Sequence, residues 1–258
     1  MSFTLGNFNT DSMAGLTASL VSWPMAPVSP SFDDLPAGDG ALFYQSNLTK
    51  TTWTFNLQLD AASYGEVMNK ADQLSAIFHP LKGLQAFSPE GATAWVWQAI
   101  ASTGIQWQRD KVLWFPNGFC RLEGQVVLTT PDPYGYAAQD EVFTLASAGT
   151  LAINRQKGNI ASWARLEFKG VLTASQSLNV AQTAVSGPLG ATQVMVLDYN
   201  TLDFGVWDAG MTTKLANIVQ RMSSYDRIGL PVGASTLTAS VTGGTFTQLT
   251  VRANSRRV

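Results

Sequence analysis

Alternation of apolar and polar residues is sharpest between Thr51 and Leu59. Trp53, Phe55, Leu57 and Leu59 fall on one side of an extended chain, while Thr52, Thr54, Asn56 and Gln58 fall on the other. A period of two with one apolar face predicts a half-buried strand. Phe119–Leu128 repeats the pattern, with Leu122, Gly124, Val126 and Leu128 opposite Arg121, Glu123 and Gln125. Between them the period lengthens. Val67, Ala71, Leu74 and Phe78 recur at helical spacing, which predicts a helix over Ser63–Phe78 with one apolar stripe. Ser63 and Glu66 form a capping box at its start, and Pro80 stops it. His79 is expected to cap the C-terminal end against the helix dipole. Trp95-Val96-Trp97, Ile105, Trp107 and Leu113-Trp114-Phe115 predict more strands, with Asn117-Gly118 as a hairpin turn.

The flanking segments read differently. Trp23-Pro24-Met25-Ala26-Pro27-Val28-Ser29-Pro30 cannot form a central strand, because each Pro lacks a ladder donor. It is expected to be an extended arm or loop, followed by a turn at Pro36-Ala37-Gly38-Asp39-Gly40. Beyond Pro131-Asp132-Pro133-Tyr134 the chain becomes short β-prone runs separated by Gly and Asn. Strands are predicted at Glu141–Leu145, Trp163–Phe168, Gln176–Asn179, Gln193–Asp198, Arg227–Leu230, Ser235–Val241 and Gln248–Ala253. A few helical residues are expected near Lys214–Met222. Such spacing predicts a β-sandwich or jelly roll. The pattern therefore divides the chain into residues 1–131, α+β with one main helix, and 132–258, all β. The fold class is mainly β with a smaller α+β part.

Composition narrows the function. Only 13% of the 258 residues are charged, against about 25% in an average soluble chain. With 45% hydrophobic residues and eight Trp, disorder is excluded. No apolar run approaches the ~20 residues of a membrane-spanning helix, and Met-Ser-Phe-Thr-Leu-Gly has no basic stretch leading into an apolar block, so no secretory leader is expected. A single Cys, Cys120, and a single His, His79, cannot build a thiolate–imidazole metal site. No phosphate-cradling Gly loop or nucleophile elbow is present: Gly187-Pro188-Leu189-Gly190 lacks the Lys. The adjacent carboxylates Asp33-Asp34 lie in a Pro-flanked segment that reads as an acidic loop. The chain is therefore expected not to be an enzyme and to need no cofactor or metal.

Several segments together resemble the distal tail protein (Dit) family of long non-contractile-tailed phages. Thr130-Pro131-Asp132-Pro133-Tyr134-Gly135-Tyr136 is similar to the Asp-Pro-Tyr junction with which that family leaves its first domain. Gly158-Asn159-Ile160-Ala161-Ser162-Trp163-Ala164-Arg165-Leu166-Glu167-Phe168-Lys169-Gly170 resembles a characteristic strand of its second domain, with Ala164 where the family usually has Pro. Val194–Asp198, Leu230-Pro231-Val232-Gly233 and Leu237–Gly244 resemble the closing half of its galectin-like sandwich.

The resemblance implies a structural virion protein, assembled in the host cytoplasm and carried at the tail tip. Residues 1–131 would be a ring-forming belt domain, in a homo-oligomer that is usually hexameric. Residues 132–258 would be a galectin-like β-sandwich holding baseplate or receptor-binding components. The ring would join the tail tube protein to tail-associated proteins and surround the channel through which DNA leaves. Its junction residues would be Pro131, Asp132, Pro133, Tyr134 and Tyr136.

Charge bears on that expectation independently. Residues 1–130 carry ten acidic and six basic groups, and residues 131–258 carry eight and ten. DNA binding needs a basic patch, whereas a DNA conduit needs the opposite; a net −4 in the first half fits a neutral or acidic lumen. A lumen dominated by Lys50, Lys70, Lys82, Arg109 and Lys111 would contradict it. Candidate interface residues are Trp23, Pro24 and Pro27 in the arm, where an aromatic residue has no core of its own, and the terminal Arg252, Arg256 and Arg257. The second reading is a carbohydrate-binding module that attaches the tail to host glycans, with Trp207 as stacking platform beside Asn200, Asp203 and Asp208. A fold alone does not establish a sugar site.

Overall fold

The computed structural model describes residues 2–34, 41–116 and 118–258. Two compact units form, one running to Ala138 and the other spanning Gln139–Arg257.

The first unit is built on an antiparallel sheet in which apolar alternation decides the covered face. Its strands are β1 (Phe3–Leu5), β2 (Phe8–Asn9), β3 (Leu16–Leu20), β6 (Thr51–Ala61), β7 (Gln85–Pro89), β8 (Trp95–Trp107) and β10 (Cys120–Thr130), ordered β2-β1-β7-β8-β10-β6-β3. Between β3 and β6 the chain makes a separate hairpin, β4 (Val28–Asp34) with β5 (Ala41–Leu48). A short β9 (Leu113–Trp114) pairs with the start of β10, and β11 (Gly135–Ala137) pairs with β8. In β6 every odd residue from Thr51 to Ala61 is buried, and in β10 every even one from Cys120 to Thr130. The in-register pairing Leu57↔Gly124 and Phe55↔Val126 puts both sets on one face. The helix α1 (Tyr64–Ile77) covers that face with Val67, Ala71 and Leu74. The first unit thus has its own core, centred on Phe3, Phe55, Phe78 and Phe87.

Two positions here need glycine, one for its backbone angle and one for a close approach. Gly104, with φ of +67°, lies in β8 where the register against β10 slips between Val126 and Leu128. At Gly135 a Cβ would stand 2.5 Å from the Trp97 indole, so only glycine lets that ring pack against the backbone.

The second unit folds as two antiparallel sheets over one core. One contains β12 (Val142–Leu145), β15 (Arg165–Val171), β18 (Gln193–Asp198), β19 (Asp203–Asp208), β20 (Lys214–Asn217) and β23 (Thr245–Arg252), ordered β12-β23-β15-β18-β19-β20. The other contains β13 (Gly149–Arg155), β16 (Ser177–Val180), β17 (Thr183–Ser186) and β22 (Gly233–Thr242), ordered β13-β22-β16-β17. A short pair, β14 (Ser162–Trp163) with β21 (Gly229–Leu230), stands apart. Phe168, Met195, Leu197, Tyr199, Leu237 and Val251 fill the interior. The chain is mainly β with one α-helix among the described residues.

Several local expectations are corrected. Ahead of the Trp23–Pro30 segment the chain already contributes to the core, because Phe3 and Leu5 are buried and Ala18 joins them. Pro30 sits inside β4, which pairs on one side only, so its missing donor faces no strand. The Pro36–Gly40 turn lies outside the described residues, as does Asn117, although Phe115 N–H does donate to Phe119 O across that turn at 2.9 Å. His79 does not cap α1. Its Nδ1 accepts from the Leu81 N–H at 3.2 Å, starting the next helical turn. The capping box is displaced by one residue on one side. Ser63 Oγ accepts from the Glu66 N–H, but the Glu66 carboxylate takes the Ala62 N–H. Lys214–Asn217 is a strand, with a 3-10 turn only at Val219–Arg221. β13, β17 and β19 carried no local signal strong enough to predict them.

Candidate functional site

The uncovered face of the β3-β6-β10-β8 sheet is mostly neutral and polar, with Val127 and Ile100 among its hydroxyl and amide side chains. It follows from the same alternation that buries the other face. Thr17 and Ser19 on β3, Thr52, Thr54, Asn56 and Gln58 on β6, Gln125 and Thr129 on β10, and Gln106 on β8 lie side by side in register. Gln125 Nε2 donates to Asn56 Oδ1 at 3.1 Å across the strands. The charged groups of this face are Glu123 and one ion pair at its end. There Arg121 Nε and Nη2 donate to the two Asp60 carboxylate oxygens at 2.7 and 2.9 Å. That hydrogen-bonded guanidinium holds the Asp60 carboxyl below the usual carboxylate range, against the opposing effect of burial. No free cation therefore stands on this face among the described residues.

Apolar surface concentrates at the two ends of β6. At the Thr51 end, Trp23 packs edge-on against Trp53 at 5.2 Å and roots the arm on the core, with Pro24 half-buried and Pro27 exposed. Met25, Val28, Phe32 and Phe43 beyond it are exposed. At the Ala61 end, Leu113, Trp114, Phe115 and Phe119 are exposed on the β9–β10 hairpin, and Trp114 stacks on Tyr64 of α1 at 5.9 Å. The sequence read Leu113–Phe115 only as a strand. Its aromatic density beside Asn117-Gly118 was the available signal of an exposed tip.

The junction motif forms a local staple. Asp132 Oδ1 accepts from the Tyr134 N–H at 3.1 Å and Oδ2 from the Tyr136 hydroxyl at 2.8 Å. Of the terminal arginines, Arg252 Nε donates to the buried Glu167 carboxylate at 2.8 Å. Arg256 Nε donates to Ala161 O, and its guanidinium lies 5.5 Å from the Trp163 ring. Arg257 is half-buried in a two-residue strand.

The residues weighed for sugar contact do not come together. Asn200 lies in the turn joining β18 to β19, whereas Trp207 and Asp208 lie at the far end of β19. The Trp207 Nε1 is buried without a hydrogen-bond partner. Asp208 Oδ1 accepts from the Thr212 and Thr213 N–H groups at 2.7 and 3.0 Å, which tightens a turn and keeps its carboxyl ionised to lower pH. No group of three or more His, Cys, Asp or Glu side chains positioned to hold a metal occurs among the described residues, and no described helix is long and apolar enough to cross a membrane.

No family model matches the sequence, and no curated protein matches it. The fold does match solved structures. The SPP1 Dit protein (gp 19.1), a hub adsorption apparatus protein of phages infecting Gram-positive bacteria, superposes with a TM-score of 0.68 at 9% identity, covering 100% of this chain and 99% of that one. The chain has the fold of a Dit protein. The phage P2 baseplate in its activated conformation with Ca also matches, with a TM-score of 0.41 at 8% identity over 100% of this chain and 98% of that chain. The SPP1 match extends over both units of this chain.

Proposed function

We propose that the chain is a Dit-type structural protein of a phage tail tip, assembled in the host cytoplasm and carried in the virion. The end-to-end agreement of fold with the SPP1 protein carries this reading. In it, the first unit forms a ring, hexameric in the Dit pattern, and joins the tail tube to the adsorption apparatus. The second unit is the galectin-like domain that holds baseplate or receptor-binding proteins. The work is mechanical and needs no catalytic group or cofactor.

The neutral sheet face supports a channel-facing role. A polyanion adheres where Lys and Arg displace its condensed counterions, and each such contact raises affinity. A face of Thr, Ser, Asn and Gln, with its one Arg neutralised by Asp60, offers no such contact. The five basic residues whose presence in the lumen would contradict this, Lys50, Lys70, Lys82, Arg109 and Lys111, are all absent from that face.

Electron microscopy of the purified protein tests the reading. Closed rings with a central hole are expected. A protein that stays monomeric at all accessible concentrations overturns it.

A further inference from the structure

The second unit leaves one strand half-paired. β22 has β13 beside it from Gly233↔Arg155 to Ala239↔Gly149. On its other side β16 pairs only with Ala239–Thr242, because the chain turns away at Ala181, whose φ is +49°. The last contact on that side is the Ala181 N–H, which donates to Thr238 O at 3.0 Å. Main-chain groups of alternate residues in an antiparallel strand point the same way. The Thr236 N–H and C=O therefore face this side too, where no strand pairs with them among the described residues. We infer that this open edge of β22 is a slot for an extended acidic segment of another protein, which adds to it as a strand. The inference rests on the reading of the second unit as the part that holds other proteins, and names the chemistry of the segment held.

The surroundings of that edge suit a peptide. Thr236 borders a hollow of about 280 Å³, walled also by Gln182 and Thr183 and by the Arg227–Leu230 segment. Ser235 Oγ lies buried in this wall with no hydrogen-bond partner. An arriving amide or hydroxyl would satisfy it, and an unpaired buried hydroxyl is costly to leave. Ile228, Leu230 and Leu237 supply apolar wall for the alternate side chains of an added strand. Natural sheet edges are commonly blunted by Lys or Pro, and Ala234–Leu237 carries neither.

Charge selects the sign of the occupant. Arg227 is exposed at the hollow, makes no ion pair among the described residues, and holds its guanidinium 5.3 Å from the Trp163 ring. Arg256 stands 5.5 Å from the same ring, so two cations share one end of the slot. The carboxylate in the wall, Asp226, already accepts from the Ser224 hydroxyl at 2.8 Å. A carboxylate arriving along β22 would gain a charge-assisted bond to Arg227.

Hydrogen exchange and peptide binding on the full chain test the slot. In the free protein the Thr236 amide should exchange much faster than those of Ser235 and Leu237, which face β13. The probe is a fluorescein-labelled peptide, Thr-Val-Thr-Val-Asp-Asp, with Thr-Val-Thr-Val-Lys-Lys as its counterpart. Saturable binding of the acidic peptide is expected, with slowed exchange at Thr236. Arg227→Glu should weaken that binding roughly tenfold or more. Thr236→Pro removes the N–H that faces the slot and should abolish binding, with an unchanged circular dichroism spectrum. No binding, equal binding of both peptides, or binding that neither variant weakens overturns the slot. A Thr236 amide protected in the free protein, more so at higher concentration, puts a second copy there and overturns it as well. Closed rings seen alongside any of these failures leave the tail-tip reading standing, whereas peptide binding by a chain that stays monomeric keeps the slot and removes that reading.

Discussion

Arg155 is fully buried, and its guanidinium donates to Ser162 Oγ at 2.5 Å. The same guanidinium reaches the carbonyls of Leu230, Ile160 and Lys157. It thereby ties the end of β13 to the loop that follows it, to β14 and to β21, which is distant in sequence. Burial lowers its pKa from the usual arginine value, and the carbonyl acceptors replace the water it has lost.

Arg155→Met removes every one of these donors and leaves the buried acceptors unpaired. At about 1–3 kcal/mol for each stranded group, the second unit should lose at least ~3 kcal/mol. Urea unfolding of the full chain, followed by Trp fluorescence, checks this; a loss under ~1 kcal/mol would show that water replaces the guanidinium.

Glu141 anchors the start of the second unit. Burial raises its pKa, but the N–H groups of Gln156 and Lys157, at 2.8 and 3.0 Å, and the Ser255 hydroxyl at 2.9 Å outweigh it, so the net shift is downward. A folded-state pKa below the unfolded one gives stability that is present above the unfolded value, near ~4.3. It is lost as pH falls through the folded value. Wild-type stability should therefore drop below about pH 4, and Glu141→Gln should flatten that part of the profile. Urea midpoints between pH 3 and 7 provide the measurement.

Gly135→Ala places a methyl group against the Trp97 ring. Overpacking of this kind costs about 1–3 kcal/mol, and the displaced indole should red-shift the Trp emission. An unshifted spectrum with unchanged stability would mean that the ring moves without cost.

Cations placed on the neutral sheet face should make it adhesive. Virions carrying Asn56→Lys and Gln125→Lys are expected to release DNA more slowly than wild type, the delay shrinking as salt rises, because each new phosphate contact releases counterions. Time-resolved fluorescence of a DNA dye reads the release. An unchanged release time with intact tails would remove this face from the channel.

Local sequence reached some of these features and not others. The strict alternation in β6 and β10 disclosed both strands and their register of faces, and the 3.6-residue spacing of Val67, Ala71, Leu74 and Phe78 disclosed α1 almost to the residue. The same alternation already contained the neutral face. It did not say which end of the sheet would be crowded. The Trp residues share a composition but not an environment. Trp53 and Trp97 are buried in the first unit's core, while Trp114, on a β9 that pairs only with β10, stays mostly exposed with Tyr64 stacked on one side of it. Nothing in its sequence neighbours marks Arg155 for burial, yet it is enclosed, and Asn200, weighed as a sugar contact beside Trp207, stands a hairpin's length from that ring.

The sequence by itself therefore determined the class of fold, the sparse charge and the lack of assembled catalytic motifs, since periodicity and composition are properties of neighbours along the chain. Only the tertiary structure decided where that sparse charge goes, which aromatic residues remain bare, and that two unlike apolar surfaces lie at opposite ends of β6. Those depend on which strands meet across long stretches of sequence, and a half-buried strand looks the same locally whether or not another layer arrives to cover it.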